Sequence, residues 1–355
     1  MKRVLFFLLL IKCLCACSKQ NEELIIISAQ ESVEAPAQEI KTENILKKIK
    51  VIKLETSNNS LISAINGVIE LDDSYVINNG EKQCLRFSKD GKFLNTISSY
   101  GRGANEHSYL LNIWEKDGNV YLMDIKYEIL IYTPDGEHIS NLQMDSYLKS
   151  NVSNVYVLQN GDIVTFSPDK GPAPKRSMLV FANLSTRRDA LQLKDSIPHI
   201  NPLQEAANIN WYFKEGQFVE KGKELFYKTT LNDTIYSLQE RSGKYHLTPA
   251  YVFDLGKYAA IEDARLQTSK SFFASKPLDP FKQMQKIGLL GITDKFIIYT
   301  DDNKNAYFYN ITNGKMDKYK LDAIPITVDS NGNLICYRFG ENDQANPELI
   351  IGRLN

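Results

Sequence analysis

The feature that most constrains the fold is a 45-residue repeat early in the chain. Asp90–Gly91 and Asp135–Gly136 are Asp-Gly pairs between apolar runs, and they lie 45 positions apart. Such a pair is a strong signal for a tight β-turn, because Gly accepts a positive φ without steric cost. A repeat of this length with four short strands per unit is typical of a β-propeller blade. Apolar residues near the turns keep the same spacing: Leu85 with Leu130, Phe87 with Tyr132, and Ile97 with Leu142.

The predicted number of blades follows from the length of the repeating region. Strand and turn patterns recur at intervals of about 50 residues over roughly 300 residues, within the range of propeller repeats. We therefore predict an all-β fold: a six-bladed β-propeller of four-stranded antiparallel blades over residues 45–355. Two long connections, 195–210 and 256–286, interrupt the period. Such loops either carry specificity or pack on the rim.

The N-terminal strand is expected to close the ring. Lys48–Leu54 alternates polar and apolar residues, as a strand with one wet face does, and no hairpin partner follows it. Propellers commonly use such a strand to complete the last blade, which removes exposed sheet edges. The C-terminal segments 324–328, 333–338 and 348–352 offer three strands that lack a fourth. We therefore expect residues 46–54 to pair with the C-terminal blade.

Three consecutive segments resemble one NHL-type repeat. They are the Gly-rich loop Gly101–Glu106, the stretch DGNVYLMD at 117–124, and the hairpin IYTPDG at 131–136. The chain departs from that pattern at Tyr127 and Glu128, where many NHL repeats carry Asn and Arg that brace neighbouring strands.

A wider resemblance covers the chain from residue 45 to the C-terminus. With NDTIY at 232–236 and LTPAYVFDLGKY at 247–258, this part resembles the six-bladed β-propeller lipoproteins common in Bacteroidetes. The resemblance implies the fold and an envelope lipoprotein, and it does not identify a ligand.

Residues 1–16 have the pattern of a secretory signal peptide. Lys2 and Arg3 precede an apolar run, 4–11, that is too short to span a bilayer. LCAC at 14–17 fits the bacterial lipobox, which predicts lipidation of Cys17; an ordinary cleaved signal with an incidental cysteine is the alternative. Several acyl chains would give stable membrane anchoring.

The residues that follow Cys17 bear on the destination of the protein. Ser18 argues against retention at the inner membrane, which favours the outer membrane, and Glu22 and Glu23 resemble acidic signals for the cell surface. Residues 17–44 are mostly polar and are expected to form a tether. Their one apolar run, Leu24–Ile27, is either a strand added to the propeller rim or part of the tether.

The charge of the chain limits the macromolecules that it is expected to bind. Without residues 1–16 the chain has 39 basic and 43 acidic residues, so it offers no polycationic surface for nucleic acid. A monomeric propeller is expected.

Cys84 and Cys336 are the cysteines that remain besides Cys17. They lie in the first and last predicted blades, where either a disulfide or two buried thiols is conceivable, and buried thiols are the simpler expectation.

Two places in the sequence are candidate ligand-binding sites. Arg102 and Glu106 flank a glycine turn between the first two blades; they either contact a ligand or brace the loop by bonding to its backbone or to each other. Trp211 and Tyr212 belong to the densest aromatic cluster, which is either a platform for a sugar or peptide or part of the core.

Local motifs for catalysis and cofactors are missing. The four histidines are isolated, no zinc, calcium, phosphate-loop or nucleophile motif is present, and no cofactor is expected. Asp72–Asp73 and Asp301–Asp302 are most simply turn residues. These observations favour a lipid-anchored binding or scaffold protein that presents loops to a glycan, peptide or partner protein. The alternative is a hydrolase or lyase whose site is assembled from several blades in the axial funnel.

Overall fold

A computed structural model describes residues 24–80, 82–103, 105–126, 128–143, 155–158, 160–168, 177–184, 191–199, 217–229, 232–259, 285, 287–340 and 345–355. Three strands and the short helix α1 (Gln30–Glu34) precede the region of repeats. These strands are β1 (Ile25–Ser28), β2 (Gln38–Ile40) and β3 (Leu46–Lys53). Single 3-10 turns are formed by Thr42–Ile45 and Gly256–Tyr258.

The remaining strands of the described ranges fall into six successive groups, each of which forms one antiparallel sheet. Sheet I contains β4 (Gly67–Glu70), β5 (Ser74–Asn78), β6 (Gln83–Ser88) and β7 (Phe93–Ser99). Sheet II contains β8 (Leu110–Lys116), β9 (Asn119–Asp124), β10 (Glu128–Tyr132) and β11 (His138–Gln143). Sheet III contains β12 (Val155–Val157), β13 (Ile163–Pro168), β14 (Ser177–Leu184) and β15 (Leu191–His199).

The other three sheets also use strands from the N-terminal segment. Sheet IV contains β16 (Gln217–Lys221), β17 (Glu224–Lys228), β18 (Thr234–Arg241) and β19 (Lys244–Asp254), with β1 beside β19. Sheet V contains β20 (Gly288–Ile292), β21 (Phe296–Thr300), β22 (Ala306–Asn310) and β23 (Met316–Leu321), with β2 beside β23. Sheet VI contains β24 (Ile324–Val328), β25 (Leu334–Arg338) and β26 (Glu348–Leu354), with β3 as its fourth strand.

The sheets have a β-propeller arrangement. The first strands of sheets IV, V, VI, I, II and III contact one another in that order, and β15 contacts β19 between sheets III and IV. A cluster of buried apolar side chains fills each junction between neighbouring sheets of the described chain. Each cluster has members from both sheets, for example Ile335 and Tyr75, Val76 and Leu122, Met123 and Val155, Val164 and Tyr227, Phe226 and Tyr299, and Ile298 and Cys336. The all-β propeller prediction is therefore confirmed.

The strand order gives the ring two distinct faces. Each sheet is a meander that begins with its innermost strand, so first-to-second and third-to-fourth turns lie on one face, here called the turn face. Second-to-third turns and the links between sheets lie on the opposite face, here called the connection face. Loops on a rigid β-scaffold are where binding residues usually lie.

The repeated Asp-Gly turns have the conformation that the sequence predicts. Gly91 and Gly136 both have a φ of +87°. Each also packs against the outer strand of the preceding sheet: a Cβ on Gly91 would overlap the carbonyl oxygen of Lys53, and one on Gly136 would lie 2.8 Å from the carbonyl oxygen of Thr96. The two turns therefore make equivalent contacts in consecutive sheets.

The N-terminal strand closes the ring as predicted. β3 pairs antiparallel with β26, with Ile52 opposite Leu349 and Lys47 opposite Arg353. The buried side chain of Ile52 joins the apolar cluster between sheets VI and I.

The segment before β3 is a belt along the outer edges of sheets IV and V. β1 pairs parallel with β19, β2 pairs parallel with β23, and Ile27 is fully buried. The backbone N–H and the hydroxyl of Thr42 both donate to Asp322 Oδ1, each at 2.8 Å. From Ile25 onward, the stretch expected to belong to a 17–44 tether is thus part of the fold, and the rim-strand alternative for Leu24–Ile27 is correct. The polar composition misled because only one face of this segment is buried.

Cys84 and Cys336 are separate, buried thiols, so the disulfide alternative is not realised. Cys84 packs between sheets I and II, whereas Cys336 packs between sheets V and VI. Burial raises the pKa of both thiols. Within the described ranges, no helix has the length and apolar character to cross a membrane.

Candidate binding site on the connection face

A cleft of about 560 Å³ opens on the connection face of sheet I. Its walls come from the link between β3 and β4, from the β5–β6 turn, and from the end of β7. The lining residues are Asn58, Leu61, Lys82, Gln83, Ser99 and Tyr100.

Two apolar side chains project into solvent at this cleft. Tyr100 is 63% exposed and Leu61 is 47% exposed, although both are large. The amides of Asn58 and Gln83 lie beside them. An exposed ring with neighbouring amides can stack on an apolar surface while hydrogen bonds fix the ligand's orientation.

The buried side chain of Asn79 fixes one wall of the cleft. Its Oδ1 accepts a hydrogen bond from the Ser63 N–H at 2.9 Å, and its Nδ2 donates to the Leu61 carbonyl oxygen at 2.8 Å. The Tyr100 N–H donates to the Lys82 carbonyl oxygen at 2.9 Å, which ties the end of β7 to the β5–β6 turn. The exposed apolar groups are thus held on braced backbone.

The predicted site residues Arg102 and Glu106 have different roles in the loop after Tyr100. Glu106 Oε2 accepts a hydrogen bond from the Gly103 N–H at 2.8 Å, and its carboxylate occupies the space where a Cβ on Gly101 would lie. Arg102 is exposed, and its guanidinium contacts no acidic group among the described residues. Of the alternatives for this loop, an ion pair between Arg102 and Glu106 does not form, because Glu106 instead braces the backbone of its own loop.

A buried network of hydrogen bonds connects the same loop to sheets I and II. Ser98 Oγ lies 2.9 Å from His107 Nδ1 and 3.2 Å from the Tyr132 hydroxyl. Tyr132 also donates to the Asn105 carbonyl oxygen at 2.9 Å. His107 is fully buried, and its Nε2 has no hydrogen-bond partner in the described structure. Burial lowers the pKa of His107 to about 4, so the ring is neutral at neutral pH.

The aspartates at strand ends are structural. The buried Asp124, at the end of the DGNVYLMD stretch, accepts hydrogen bonds from the N–H groups of Ser108 and Lys126. Asp301 accepts from the N–H groups of Asn303 and Asn305, both at 2.9 Å, which agrees with its interpretation as a turn residue. The described part of the chain contains no group of three His, Cys, Asp or Glu side chains placed to hold a metal ion.

Sequence reasoning located the loop but missed the cleft beside it. Tyr100 directly precedes the Gly-rich loop, and a large aromatic residue at that boundary was an available signal. Asn58 and Leu61 gave none, because their position depends on how β3 joins the last sheet. Cys17, Trp211 and Tyr212 lie outside the described residues, and their assignments remain predictions.

The fold and site can be compared with known proteins. A family model described as a domain of unknown function, DUF4934, matches residues 24–350. The chain belongs to the DUF4934 family. Among solved structures, this DUF4934 protein is similar to the crystal structure of a Bacteroides fragilis NCTC 9343 protein described as exported. The TM-score is 0.66 at 15% identity, over 94% of this chain and 100% of that chain, which shows a shared fold. No functionally curated protein matches the chain.

Proposed function

We propose that this DUF4934 protein is a binding module of the cell envelope. In this proposal its six sheets are the blades of a six-bladed β-propeller, and lipid on Cys17 anchors the chain to the outer membrane, from which the connection face is presented outward. Three features support the proposal: the lipobox at 14–17, the apolar clusters at all six junctions between sheets, and the similarity to a protein described as exported.

The site is proposed to belong to an NHL-like repeat. The Gly-rich loop carries its acidic residue, Glu106, which binds the loop backbone, and Asp124 ends the following strand pair with two backbone contacts. This arrangement leaves Arg102 exposed, two residues after the cleft residue Tyr100, and its guanidinium is free to contact a carboxylate on a ligand.

The cleft beside Tyr100 is the observation that carries the proposed function. Exposed Tyr100 and Leu61 provide an apolar platform, and Asn58, Gln83 and Ser99 provide hydrogen-bonding groups around it. A sugar ring has one apolar face and a rim of hydroxyls, so a glycan fits this combination best. Peptide and protein ligands are the competing outcomes.

Binding is tested with the mature chain carrying Cys17→Ala, which removes the lipid site. Glycan and peptide arrays are probed with this protein, with Tyr100→Ala added, and with Leu94→Ala added as a control. Leu94 is an exposed apolar residue of β7 that does not line the cleft. We expect glycan binding that Tyr100→Ala weakens at least tenfold and Leu94→Ala leaves unchanged. Binding of peptides alone, or equal effects of both variants, contradicts the proposal.

The anchor is tested separately by cell fractionation. Cys17→Ala should move the protein from the membrane pellet to the soluble fraction, whereas Cys84→Ala should leave it in the pellet. If Cys17→Ala remains in the pellet after a carbonate wash, the lipoprotein assignment is wrong.

A further inference from the structure

A second pocket, of about 520 Å³, lies on the turn face. It is formed by the first-to-second turns of sheets IV, V and VI together with the start of β3 and the end of β26. Its charged lining includes Lys47, Lys48, Lys221, Lys295, Arg353 and Asp294.

A β-bulge brings two consecutive lysines to this pocket. Lys50 pairs with Ile351 and Lys47 pairs with Arg353, so two residues of β3 lie opposite the single residue Gly352. Successive side chains of a regular strand point to opposite faces, but the bulge breaks this alternation, and both Lys47 and Lys48 line the pocket.

The bulge places Lys48 in an uncommon backbone conformation. Lys48 has a φ of +48°, which is uncommon for a residue with a side chain. Gly352 lies so close to β3 that an added Cβ would be 2.9 Å from the Lys47 carbonyl oxygen. Strained residues often mark functional sites, although this one alone would not define a ligand.

Most basic side chains of the pocket have no ion-pair partner among the described residues. The side chains of Lys47, Lys48, Lys295 and Arg353 form no ion pair or hydrogen bond with any described residue. In contrast, Lys221 lies 3.8 Å from Asp294.

The other two acidic residues of the lining contact neutral groups and are not paired with its basic residues. Asp329 accepts hydrogen bonds from the Asn331 N–H and the Asn333 side chain, at 2.9 Å and 2.7 Å. Glu220 lies beside the Tyr156 hydroxyl, whose pKa is raised by burial and by that carboxylate. The lining contains five basic and three acidic residues, and this excess of positive charge raises the local concentration of anions.

We propose that the turn-face pocket binds a multiply charged anion that carries phosphate or sulfate groups. Lys47, Lys48 and Lys295 supply ammonium groups, and Arg353 supplies a planar guanidinium that can donate two hydrogen bonds to one such group. A soluble polyanion and the phosphorylated headgroup of an envelope lipid share this chemistry. The site is independent of the cleft beside Tyr100.

The test uses the mature Cys17→Ala chain with inorganic tripolyphosphate as the probe, measured by calorimetry at two salt concentrations. We expect saturable binding that weakens at higher salt. The double variant Lys47→Gln/Lys48→Gln should weaken it at least tenfold. Lys244→Gln is the matched control, since Lys244 is an exposed lysine of the turn face outside the pocket. Tyr100→Ala should bind tripolyphosphate normally.

Vesicles distinguish the two sources of the anion. Binding to phosphatidylglycerol vesicles but not phosphatidylcholine vesicles, with competition by tripolyphosphate, identifies a lipid headgroup. Tripolyphosphate binding without vesicle binding identifies a soluble polyanion. The proposal is overturned if tripolyphosphate does not bind saturably, or if Lys244→Gln weakens binding as much as the double variant does.

Discussion

Arg86 Nη1 lies 2.6 Å from Asp135 Oδ1, and this ion pair joins sheet I to the Asp-Gly turn of sheet II. The other guanidinium nitrogens bond within sheet I: Nη2 lies 2.8 Å from Asp73 Oδ2, and Nε lies 2.9 Å from Ser74 Oγ. Arg86 is buried, whereas both aspartates are exposed. One planar side chain thus links a turn of its own sheet to a turn of the next.

Replacing Arg86 should therefore destabilise the fold more than removing a surface ion pair. We expect Arg86→Met to lower the free energy of unfolding by about 1–3 kcal/mol, because charge-assisted hydrogen bonds are lost. Lys92→Met is the control, since its 3.8 Å pair with Asp90 is exposed and such pairs contribute little to stability. Urea unfolding measures both values. Equal effects would show that the Arg86 ion pairs stabilise the fold no more than the exposed pair of Lys92 does.

The glycines of the hairpin turns allow a controlled comparison of strain and contact. Alanine at Gly118 should cost only the left-handed penalty of about 1–2 kcal/mol, because no atom lies within 4 Å of its added Cβ. Alanine at Gly91 or Gly136 should cost clearly more, because the Cβ meets the backbone of the neighbouring sheet. Thermal unfolding of the three variants tests this order. If all three cost the same, the contacts between turn and strand are not important.

The belt should contribute to stability, whereas the tether that the sequence predicts for residues 17–44 would not. Ile27→Ala should cost about 2–5 kcal/mol, the range for a fully buried aliphatic side chain. Its neighbour Ile26, which is 64% exposed, is the control and should change stability little when replaced by Ala. Denaturant unfolding of both variants measures these changes. If Ile27→Ala does not lower the free energy of unfolding, this segment is a tether and not part of the fold.

His107 should make the fold sensitive to mild acid. The folded state holds its pKa near 4, whereas an unfolded histidine has a pKa near 6.5. Between these values the unfolded chain binds a proton that the folded chain does not, so stability falls as the pH drops from about 6.5 to about 4. The melting temperature should fall less from pH 7 to pH 5 in His107→Gln than in the unmodified chain. The same fall in both would exclude His107 as the cause.

Arg102 and Glu106 should respond differently to substitution. Arg102→Ala should leave the melting temperature unchanged, since its side chain is exposed and contacts no acid in the described ranges. Glu106→Ala should lower the unfolding free energy by about 1 kcal/mol, because the Gly103 N–H loses its acceptor. A larger effect at Arg102 than at Glu106 would show that Arg102, and not Glu106, stabilises the loop.

Local features were predictable from the sequence, and features that depend on distant neighbours were not. Gly91 and Gly136 identify their turns because the required φ is a property of the residue itself. The pairing of β3 followed from its alternation and from three C-terminal strands without a fourth. The cleft at Tyr100 and Leu61 depends on where the link after β3 lies, which no local pattern encodes. The bulge at Lys48 lacks a Gly or Asn that would have indicated a positive φ.

The belt also has a consequence for the order of folding. The two belt strands and the strand β3 that follows them pair with successively later parts of the chain: β1 with β19, β2 with β23, and β3 with β26. Contacts between residues far apart in the sequence form slowly, because closing the long loop costs conformational entropy before the contacts add stability. The first strands to be synthesised must therefore wait unpaired until sheets IV, V and VI exist. Ring closure cannot precede the arrival of the last seven-residue strand, so a nascent chain that lacks it should remain accessible to proteases and chaperones.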